Sequence, residues 1–207
     1  MTAIYHITHV QNLPSIIREG GLHCDAGVDE QCGGHMNIGY PHLKARRLET
    51  PVPCGPGGVL GDYVPFYFAS RSPMLYVISR GGVLGHEGGQ EPVLHLVADA
   101  EAVAGAGLGY AFTDGHAAMA ISAFFTDLRD LARVDWAVMR GRYWFDTQED
   151  QDRERRRQAE FLVHRFLPWR LVQEIGVLTA AMRERVESLL PGEGHRPSVV
   201  VRPGWYY

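Results

Sequence analysis

Short apolar segments of the strand and helix types alternate irregularly along this 207-residue chain, and that alternation limits the fold more than any other feature. Ile4 to Thr8 has the β-branched bias of a strand. Leu13, Ile16 and Ile17 follow at helical spacing, and a glycine pair ends the helix. The alternation lacks the regular rhythm of a parallel-sheet protein, and no repeat or linker divides the sequence. The pattern predicts one domain over residues 1–207.

The later segments continue the alternation. Strands are predicted in DYVPFYF, PVLHLVADA, QAEFLVHRFLPW, LVQEIGVLT and HRPSVVVRPGWYY. Helices are predicted in PHLKARRLE, MLYVI, GHAAMAISAFFTDLRDL and AAMRERVESLL. In the third helix, Ala118, Ile121, Phe124 and Leu128 fall near one face. Between Leu22 and Gly61 the pattern breaks up, which is typical of a functional or mobile connection.

Charge and cysteine content exclude several classes of protein. The formal net charge of −4 excludes a strongly basic, histone-like binder, although local basic clusters can still contact nucleic acid. Three cysteines are too few for a disulfide scaffold and fit a reducing compartment. No segment has the uncharged apolar length of a membrane span, and the N-terminus lacks the pattern of a signal peptide. We therefore expect a cytoplasmic protein that does not enter a membrane.

Two strand segments carry the first candidate functional side chains. His6 and Thr8 lie two residues apart, so they share one face of the first predicted strand. Tyr67 stands between Phe66 and Phe68 and faces the opposite way, where its phenol can line a pocket. Taken alone, His6 and Tyr67 are equally compatible with purely structural roles.

These segments resemble the signatures of ADP-ribosyltransferases. IYHIT with its short helix resembles their nucleotide-binding opening, FYFASRSPMLY resembles their second motif, and QAEFLV supplies the late glutamate, Glu160. The motifs YHITHVxNL, IGYPHLKARRLETPVP, DYVPFYFASRSPMLY, FTDGHAA and RRRQAEFLV together resemble the DarT family of DNA ADP-ribosyltransferase toxins. The resemblance extends from Ile4 to about Val177. It implies an α+β fold with a split, two-sheet β core, an NAD cleft between the sheets and flanking helices.

The resemblance also implies site residues for NAD, which is consumed as a cosubstrate. The expected NAD-binding residues are His6, Ile7, Thr8, Ser15, Tyr67, Ser72 and Tyr76. Glu160 is the expected catalytic carboxylate, because cleavage of the nicotinamide–ribose bond develops positive charge. Arg47, favoured over Arg46, is the expected catalytic arginine. Since guanidinium stays protonated, we expect it to act electrostatically on the pyrophosphate and the target base.

The segment 113–158 corresponds to the substrate-recognition loop of this superfamily. Its expected single-stranded-DNA contacts are Tyr143, Trp144, Arg153, Arg155, Arg156 and Arg157, which combine base stacking with phosphate contacts. A packed aromatic pair beside a solvated charged helix is the alternative interpretation. His116 stands where the family pattern has asparagine.

The resemblance implies transfer of ADP-ribose to a base in single-stranded DNA, with thymine favoured over guanine, by a toxin whose antitoxin partner carries a macrodomain. Modification of RNA or protein, including the related RNA 2′-phosphotransferase chemistry, is a second hypothesis. A non-catalytic NAD- or nucleic-acid-binding module is a third. No metal is expected, and a zinc site built from His23, Cys24, Cys32, His35 and Cys54 is a weak alternative because regular CxxC pairs are absent.

Overall fold

The computed structural model describes residues 1–27, 38, 41–82 and 88–207. In these ranges the strands are β1 Ala3–His9, β2 Gly21–His23, β3 Tyr63–Tyr67, β4 Val93–Asp99, β5 Tyr110–His116, β6 Phe124–Phe125, β7 Ala159–His164, β8 Phe166–Pro168, β9 Glu174–Val177 and β10 Ser198–Val201. The α-helices are α1 Leu13–Arg18, α2 Pro41–Glu49, α3 Pro73–Ser79, α4 Ala100–Gly105, α5 Trp136–Arg140, α6 Arg153–Arg157 and α7 Ala180–Leu189. Cys32 and His35, which belong to the zinc alternative, lie outside the described residues.

One large sheet organises the molecule, with strand order β10-β9-β4-β1-β3-β7-β5-β6. Strands β9 and β10 pair in parallel, whereas the other pairs of this sheet are antiparallel. A small second sheet pairs β2 with β8. Strand β4 is buried along its whole length, as its largely apolar sequence predicts, and it buries His95 and Asp99 as well.

The large sheet is split between β1 and β3. Strand β1 pairs with β4 from Ala3 to His9, but it meets β3 at the single pair Tyr5 and Tyr67. Past this pair the two halves of the sheet are joined by a side chain, because His6 Nδ1 lies 2.8 Å from the carbonyl oxygen of Pro65 and donates to it. Pro65 has no backbone N–H, and in a strand that group would face β1, on the same side as the Pro65 carbonyl. Its absence therefore does not weaken the ladder between β3 and β7.

The predicted helix in GHAAMAISAFFTDLRDL is wrong. The segment instead contains the end of β5, a turn, β6 and a 3₁₀ helix over Leu128–Arg133. Polar side chains compete with a helix here: Ser122 Oγ donates to the His116 carbonyl, and Asp114 Oδ1 accepts from the Ala123 N–H. Ile121, assigned to the apolar face, is 73% exposed.

The other predicted elements are found at their expected places, with one interruption. QAEFLVHRFLPW divides into β7 and β8 at Arg165, which has a φ of 62° and donates its N–H to the Asp62 carbonyl at 2.7 Å. The two parts join different sheets. Among the described residues, no helix combines the length and apolar character needed to cross a membrane.

Candidate active site

A cavity of about 520 Å³ opens where the large sheet is split. Strands β1 and β3 form its floor, and helices α1, α2 and α3 contribute walls. The sequence-predicted residues that line it are His6, Ile7, Thr8, Ser15, Arg46, Arg47, Tyr67 and Glu160. Its volume falls in the range typical of small-molecule sites.

Strand β1 and helix α1 form one polar wall of this cavity. Thr8 is buried, and its Oγ1 accepts a hydrogen bond of 3.1 Å from the Asn12 amide. Ser15 Oγ donates to the Asn12 carbonyl at 2.8 Å. Asn12 was missed as a site residue although it belongs to the YHITHVxNL motif, and its contacts fix both hydroxyls that the sequence predicted.

Tyr67 and Glu160 stand opposite each other on β3 and β7. Side chains at directly opposite positions share one face of the sheet and lie within contact range. Burial raises the pKa of Tyr67, and the negative charge of Glu160 raises it further, so the phenol remains neutral at physiological pH. The pair therefore presents a neutral aromatic ring beside a carboxylate.

A bulge in β5 shapes the surroundings of Glu160. Between two aligned pairs, β5 runs from Phe112 to His116 while β7 runs only from Phe161 to Ala159, so β5 has extra residues here. This irregularity brings Thr113 Oγ1 within 3.0 Å of the Glu160 N–H, which donates to it. Beyond the bulge, the N–H of Ala117 donates to Glu160 Oε1 at 3.2 Å.

Arg47 forms an ion pair with Glu160 inside the cavity. Its Nη1 lies 2.7 Å from Glu160 Oε2, with 14% and 7% of the two side chains exposed. Burial opposes the charge of Arg47, but the charge and hydrogen bond of Glu160 outweigh it and raise the pKa of the guanidinium. Nε and Nη2 of Arg47 are buried and have no hydrogen-bond partner within the described part of the chain. These two donors are available to an anionic or carbonyl-bearing ligand.

Arg46 also lines the cavity but makes a different contact. Its Nη2 donates to the Ala118 carbonyl at 2.6 Å and so ties helix α2 to the turn after β5. His116 lines the cavity beside this turn, and its Nδ1 accepts the Ala118 N–H at 3.1 Å. Burial lowers the pKa of His116, which favours a neutral ring whose other nitrogen, Nε2, carries the proton.

Two predicted NAD-binding residues do not line the cavity. Ser72 is 1% exposed, and its Oγ caps α3 by accepting the Leu75 N–H at 3.1 Å. Tyr76 packs edge-on against Trp144, Phe145 and Tyr207. In this structure Ser72 ends the loop that enters α3, and Tyr76 belongs to an aromatic cluster. From α3, the residues that reach the cavity are Pro73, Met74 and Val77.

The aromatic part of the predicted DNA-contact set divides between surface and interior. Tyr143 is 73% exposed and accessible for stacking. Trp144 is only 4% exposed, and its Nε1 donates to the Tyr207 hydroxyl at 2.7 Å. The structure therefore corrects the prediction that Trp144 stacks on bases, because its ring is already packed.

The arginines of α6 are largely engaged by the protein itself. Arg157 is buried and donates to carbonyl oxygens of Val138, Met139, Gly141 and Arg71, so it is not a phosphate contact. Arg156 is paired with Asp135 and Asp150. Arg155 is held by Asp152 at 2.7 Å and Asp114 at 3.0 Å.

Arg153 is the member of this group with the fewest constraints, since its Nη2 donates to the Tyr143 carbonyl at 2.6 Å while its Nε has no partner within the described residues. The contacts of Arg155, Arg156 and Arg157 with aspartates and carbonyls favour a structural role for these three arginines. Within the described residues there is also no cluster of three or more side chains suited to a metal ion.

Comparisons with known proteins show what this chain is similar to. The family model described as DarT, ssDNA thymidine ADP-ribosyltransferase, matches residues 5–207. The chain is 45% identical to a DNA ADP-ribosyl transferase of Thermus sp. (strain 2.9) over 208 residues, covering 100% of this chain and 96% of that relative. All of the candidate residues lie within the matched range.

Two solved structures are similar over the whole fold. Thermus sp. 2.9 DarT in complex with ADP-ribosylated ssDNA gives a TM-score of 0.92 at 44% identity, covering 100% of this chain and 96% of that chain. The complex of Thermus sp. 2.9 DarT with NAD+ gives 0.85 at 43% identity, covering 100% and 98%. These matches confirm the predicted α+β ADP-ribosyltransferase fold.

Proposed function

Because the chain belongs to the DarT family of ssDNA thymidine ADP-ribosyltransferases, we propose that it transfers ADP-ribose from NAD to a thymine base of single-stranded DNA. The observation that carries this proposal is the set of Tyr67, Glu160 and Arg47 at the cavity in the split sheet. A neutral aromatic ring, a carboxylate and a buried cation stand together there. Cleavage of the nicotinamide–ribose bond develops positive charge on the ribose, and a fixed carboxylate stabilises that charge.

The cavity walls suit a bent dinucleotide. We assign His6 to the adenosine-side ribose and Thr8, through its hydroxyl or main chain, to the nicotinamide end; both residues line the wall formed by β1. Tyr67 offers its ring to the nicotinamide. The two unpartnered donors of Arg47 suit the negatively charged pyrophosphate or a carbonyl of the target base.

Glu160 has the geometry to stabilise the transition state. As the bond between ribose C1′ and the nicotinamide nitrogen breaks, nicotinamide leaves with the bonding electron pair and positive charge develops on the ribose. A carboxylate fixed by Ala117, Arg47 and its own strand needs little reorganisation to face that charge. Thymine N3 releases its proton to solvent water and uses the freed electron pair to form the new bond to C1′.

Arg47 acts in this scheme as a cation rather than as a proton acceptor. Its pKa is raised, so the guanidinium carries a full set of protons throughout the reaction. It forms an ion pair with the Glu160 carboxylate and has two further donors. Polarisation of a thymine carbonyl by these donors would acidify N3 without any proton transfer to Arg47.

The test is to incubate the protein with NAD and a single-stranded oligonucleotide that contains one thymine, and to weigh the products. We expect a mass increase of one ADP-ribose. An oligonucleotide with N3-methylthymine at that position is the matched control and should remain unmodified. Product on a thymine-free, guanine-containing strand would favour guanine instead, and no product on any strand would refute the proposal. Because N3 is engaged in a base pair, the duplex should react much more slowly.

A protein that modifies DNA at the expense of NAD requires control in its own cell. We propose that the chain acts as a cytoplasmic toxin and that its antitoxin partner carries a macrodomain that removes ADP-ribose from the base. Family membership supports this part of the proposal. The modified oligonucleotide should regain its original mass when a macrodomain antitoxin is added, and persistence of the adduct would contradict the assignment.

A further inference from the structure

Four aromatic side chains from three separate segments form a cluster next to α3. Its members are Tyr76, Trp144, Phe145 and Tyr207. We refer to Tyr76, Phe145 and Tyr207 as the aromatic platform, and Trp144 lies beneath it. Tyr76 meets the other three rings edge-on, with centroid distances of 5.2 to 5.9 Å. Phe145 stacks on Trp144 at 4.4 Å and 26°.

Hydrogen bonds hold this cluster in place. Trp144, at 4% exposure, donates from Nε1 to the Tyr207 hydroxyl at 2.7 Å, and that hydroxyl lies 3.3 Å from the Arg71 carbonyl, to which it donates. Phe145 and Tyr207 nevertheless remain 41% and 38% exposed. Trp144 covers one face of Phe145, and Tyr76 meets the same ring edge-on. The rings are therefore both fixed and accessible.

A cation accompanies the exposed rings. The Arg71 guanidinium lies 5.3 Å from the Tyr207 ring centroid, a cation–π geometry. Its Nε has no hydrogen-bond partner within the described residues. The neighbouring Asp146 carboxylate is engaged, since its Oδ1 accepts the Glu154 N–H at 2.9 Å. Proteins that bind unpaired nucleotides commonly combine fixed aromatic rings, on which bases stack, with arginines.

The platform adjoins the cavity through one helix. Pro73, Met74 and Val77 of α3 line the cavity, whereas Tyr76 of the same helix contributes to the platform. A helix with its side chains is about 10 Å across, which corresponds to about three stacked bases at 3.4 Å each. A strand that leaves the cavity across α3 would therefore reach the platform within a few nucleotides.

From this arrangement we propose that the aromatic platform binds unpaired bases that flank the target thymine, with Phe145 as the principal stacking residue and Arg71 beside the strand. The proposal rests on the proposed function and adds a recognition site to it. It replaces Trp144, which is buried, by Phe145 as the ring that meets the DNA. It assigns Tyr76 and Trp144 to positioning that ring.

The test removes the stacking partner from either the protein or the DNA. A series of oligonucleotides carries one abasic site at successive positions on each side of the target thymine, and binding is measured for the wild-type protein and for Phe145→Ala. For the wild type, one flanking abasic site should weaken binding between about 5-fold and 150-fold, the range for loss of one base–aromatic stack. Phe145→Ala should weaken binding of the intact strand similarly and lose its sensitivity to that abasic site.

Two control variants separate stacking from folding. Phe145→Trp keeps a flat ring and should restore both affinity and abasic sensitivity. Trp144→Phe removes the hydrogen bond to Tyr207 and should weaken binding less than Phe145→Ala. Unfolding temperatures of all variants show whether the cluster survives.

The possible failures can be told apart. If the wild-type protein modifies DNA but Phe145→Ala binds it as tightly, the platform is refuted and the proposed function stands. If Phe145→Ala instead loses a protein partner with DNA binding intact, the platform is a protein interface and the proposal is equally refuted. If the wild type modifies no strand, both the proposed function and this inference fail.

Discussion

Replacing Glu160 by glutamine changes the charge at the reaction centre with almost no change in shape. The carboxylate is 7% exposed and accepts hydrogen bonds from Arg47 at 2.7 Å and Ala117 at 3.2 Å. Loss of one preorganised electrostatic stabiliser costs about 2.7–4 kcal/mol in the transition state, or roughly 10²–10³ in kcat. NAD binding should change much less, because the lost interaction is strongest with charge that appears only during cleavage.

The same substitution should also reduce stability. Arg47 has only 14% of its side chain exposed, and Glu160→Gln leaves its charge buried without compensation. Breaking one partner of a buried pair costs on the order of 3–5 kcal/mol. The double variant Arg47→Met, Glu160→Gln removes both charges and should recover much of this stability while remaining inactive. Activity and folding are thereby separated.

The assay is nicotinamide release with a single-stranded acceptor, accompanied by product mass and urea unfolding. Glu174→Gln is a matched control on the same sheet, because Glu174 pairs with Arg202 at the surface at 2.9 Å. Glu174 does not line the cavity, and a partly exposed pair contributes about 1 kcal/mol or less, so this variant should keep normal activity and lose little stability. A folded Glu160→Gln protein with a rate within tenfold of wild type would refute the catalytic role of the carboxylate.

The remaining predictions concern other parts of the molecule. Arg47→Ala should reduce the rate of transfer by at least about 10². Arg46→Ala loses one hydrogen bond to a carbonyl and should reduce the same rate by less than about tenfold. Equal effects of the two variants in steady-state assays would contradict the division of roles. Burial lowers the pKa of His95 from 6.5 to about 4, so the native state binds fewer protons than the unfolded state between these values. The free energy of unfolding should therefore fall as pH drops through this window, by on the order of 3 kcal/mol in total, and His95→Gln should flatten the profile measured by urea unfolding. Arg155→Gln should lower the unfolding temperature but leave the salt dependence of DNA binding unchanged, since Arg155 is already paired with Asp152 and Asp114. If the slope of log K against log salt concentration became smaller in magnitude by about 0.7, Arg155 would instead be a phosphate contact.

Local patterns in the sequence, together with the family resemblance, predicted two residues that line the cavity. Alternation along β3 places Phe66 inward and Tyr67 toward the cavity, because side chains in a strand alternate between faces. The motif order adds Glu160, which the sheet places directly opposite Tyr67. Both residues therefore occupy the positions that the sequence predicts.

Predictions that depended on long-range partners were less successful. The sequence alone does not show whether Arg155, Arg156 and Arg157 contact phosphates, aspartates or backbone carbonyls, because a guanidinium suits all three. In the folded protein, aspartates and backbone carbonyls are their partners. Arg157 lies beside carbonyls in the last turn of α5, about twenty residues upstream in the chain, and its burial follows from that contact. Likewise, Tyr76 and Trp144 are ordinary members of their local motifs until Tyr207 packs beside both.

The turn after β5 shows a second limit of sequence reasoning. Apolar spacing there fits a helix, but side-chain bonds of Asp114 and Ser122 to the backbone stabilise a tight turn instead. Periodicity does not register such bonds. The turn matters to the site because it brings His116 and the Ala117 N–H to the cavity.

The central claim is that the cavity in the split sheet binds NAD with its reacting ribose beside Glu160. A crystal structure of Glu160→Gln with NAD, in which cleavage is slow, tests this most directly. We expect the nicotinamide ring to lie against Tyr67 and the adjoining ribose 2′-hydroxyl to lie within hydrogen-bonding distance of the residue 160 side chain. The adenosine-side ribose should lie near His6. A dinucleotide bound with its nicotinamide ribose away from residue 160 would contradict the account.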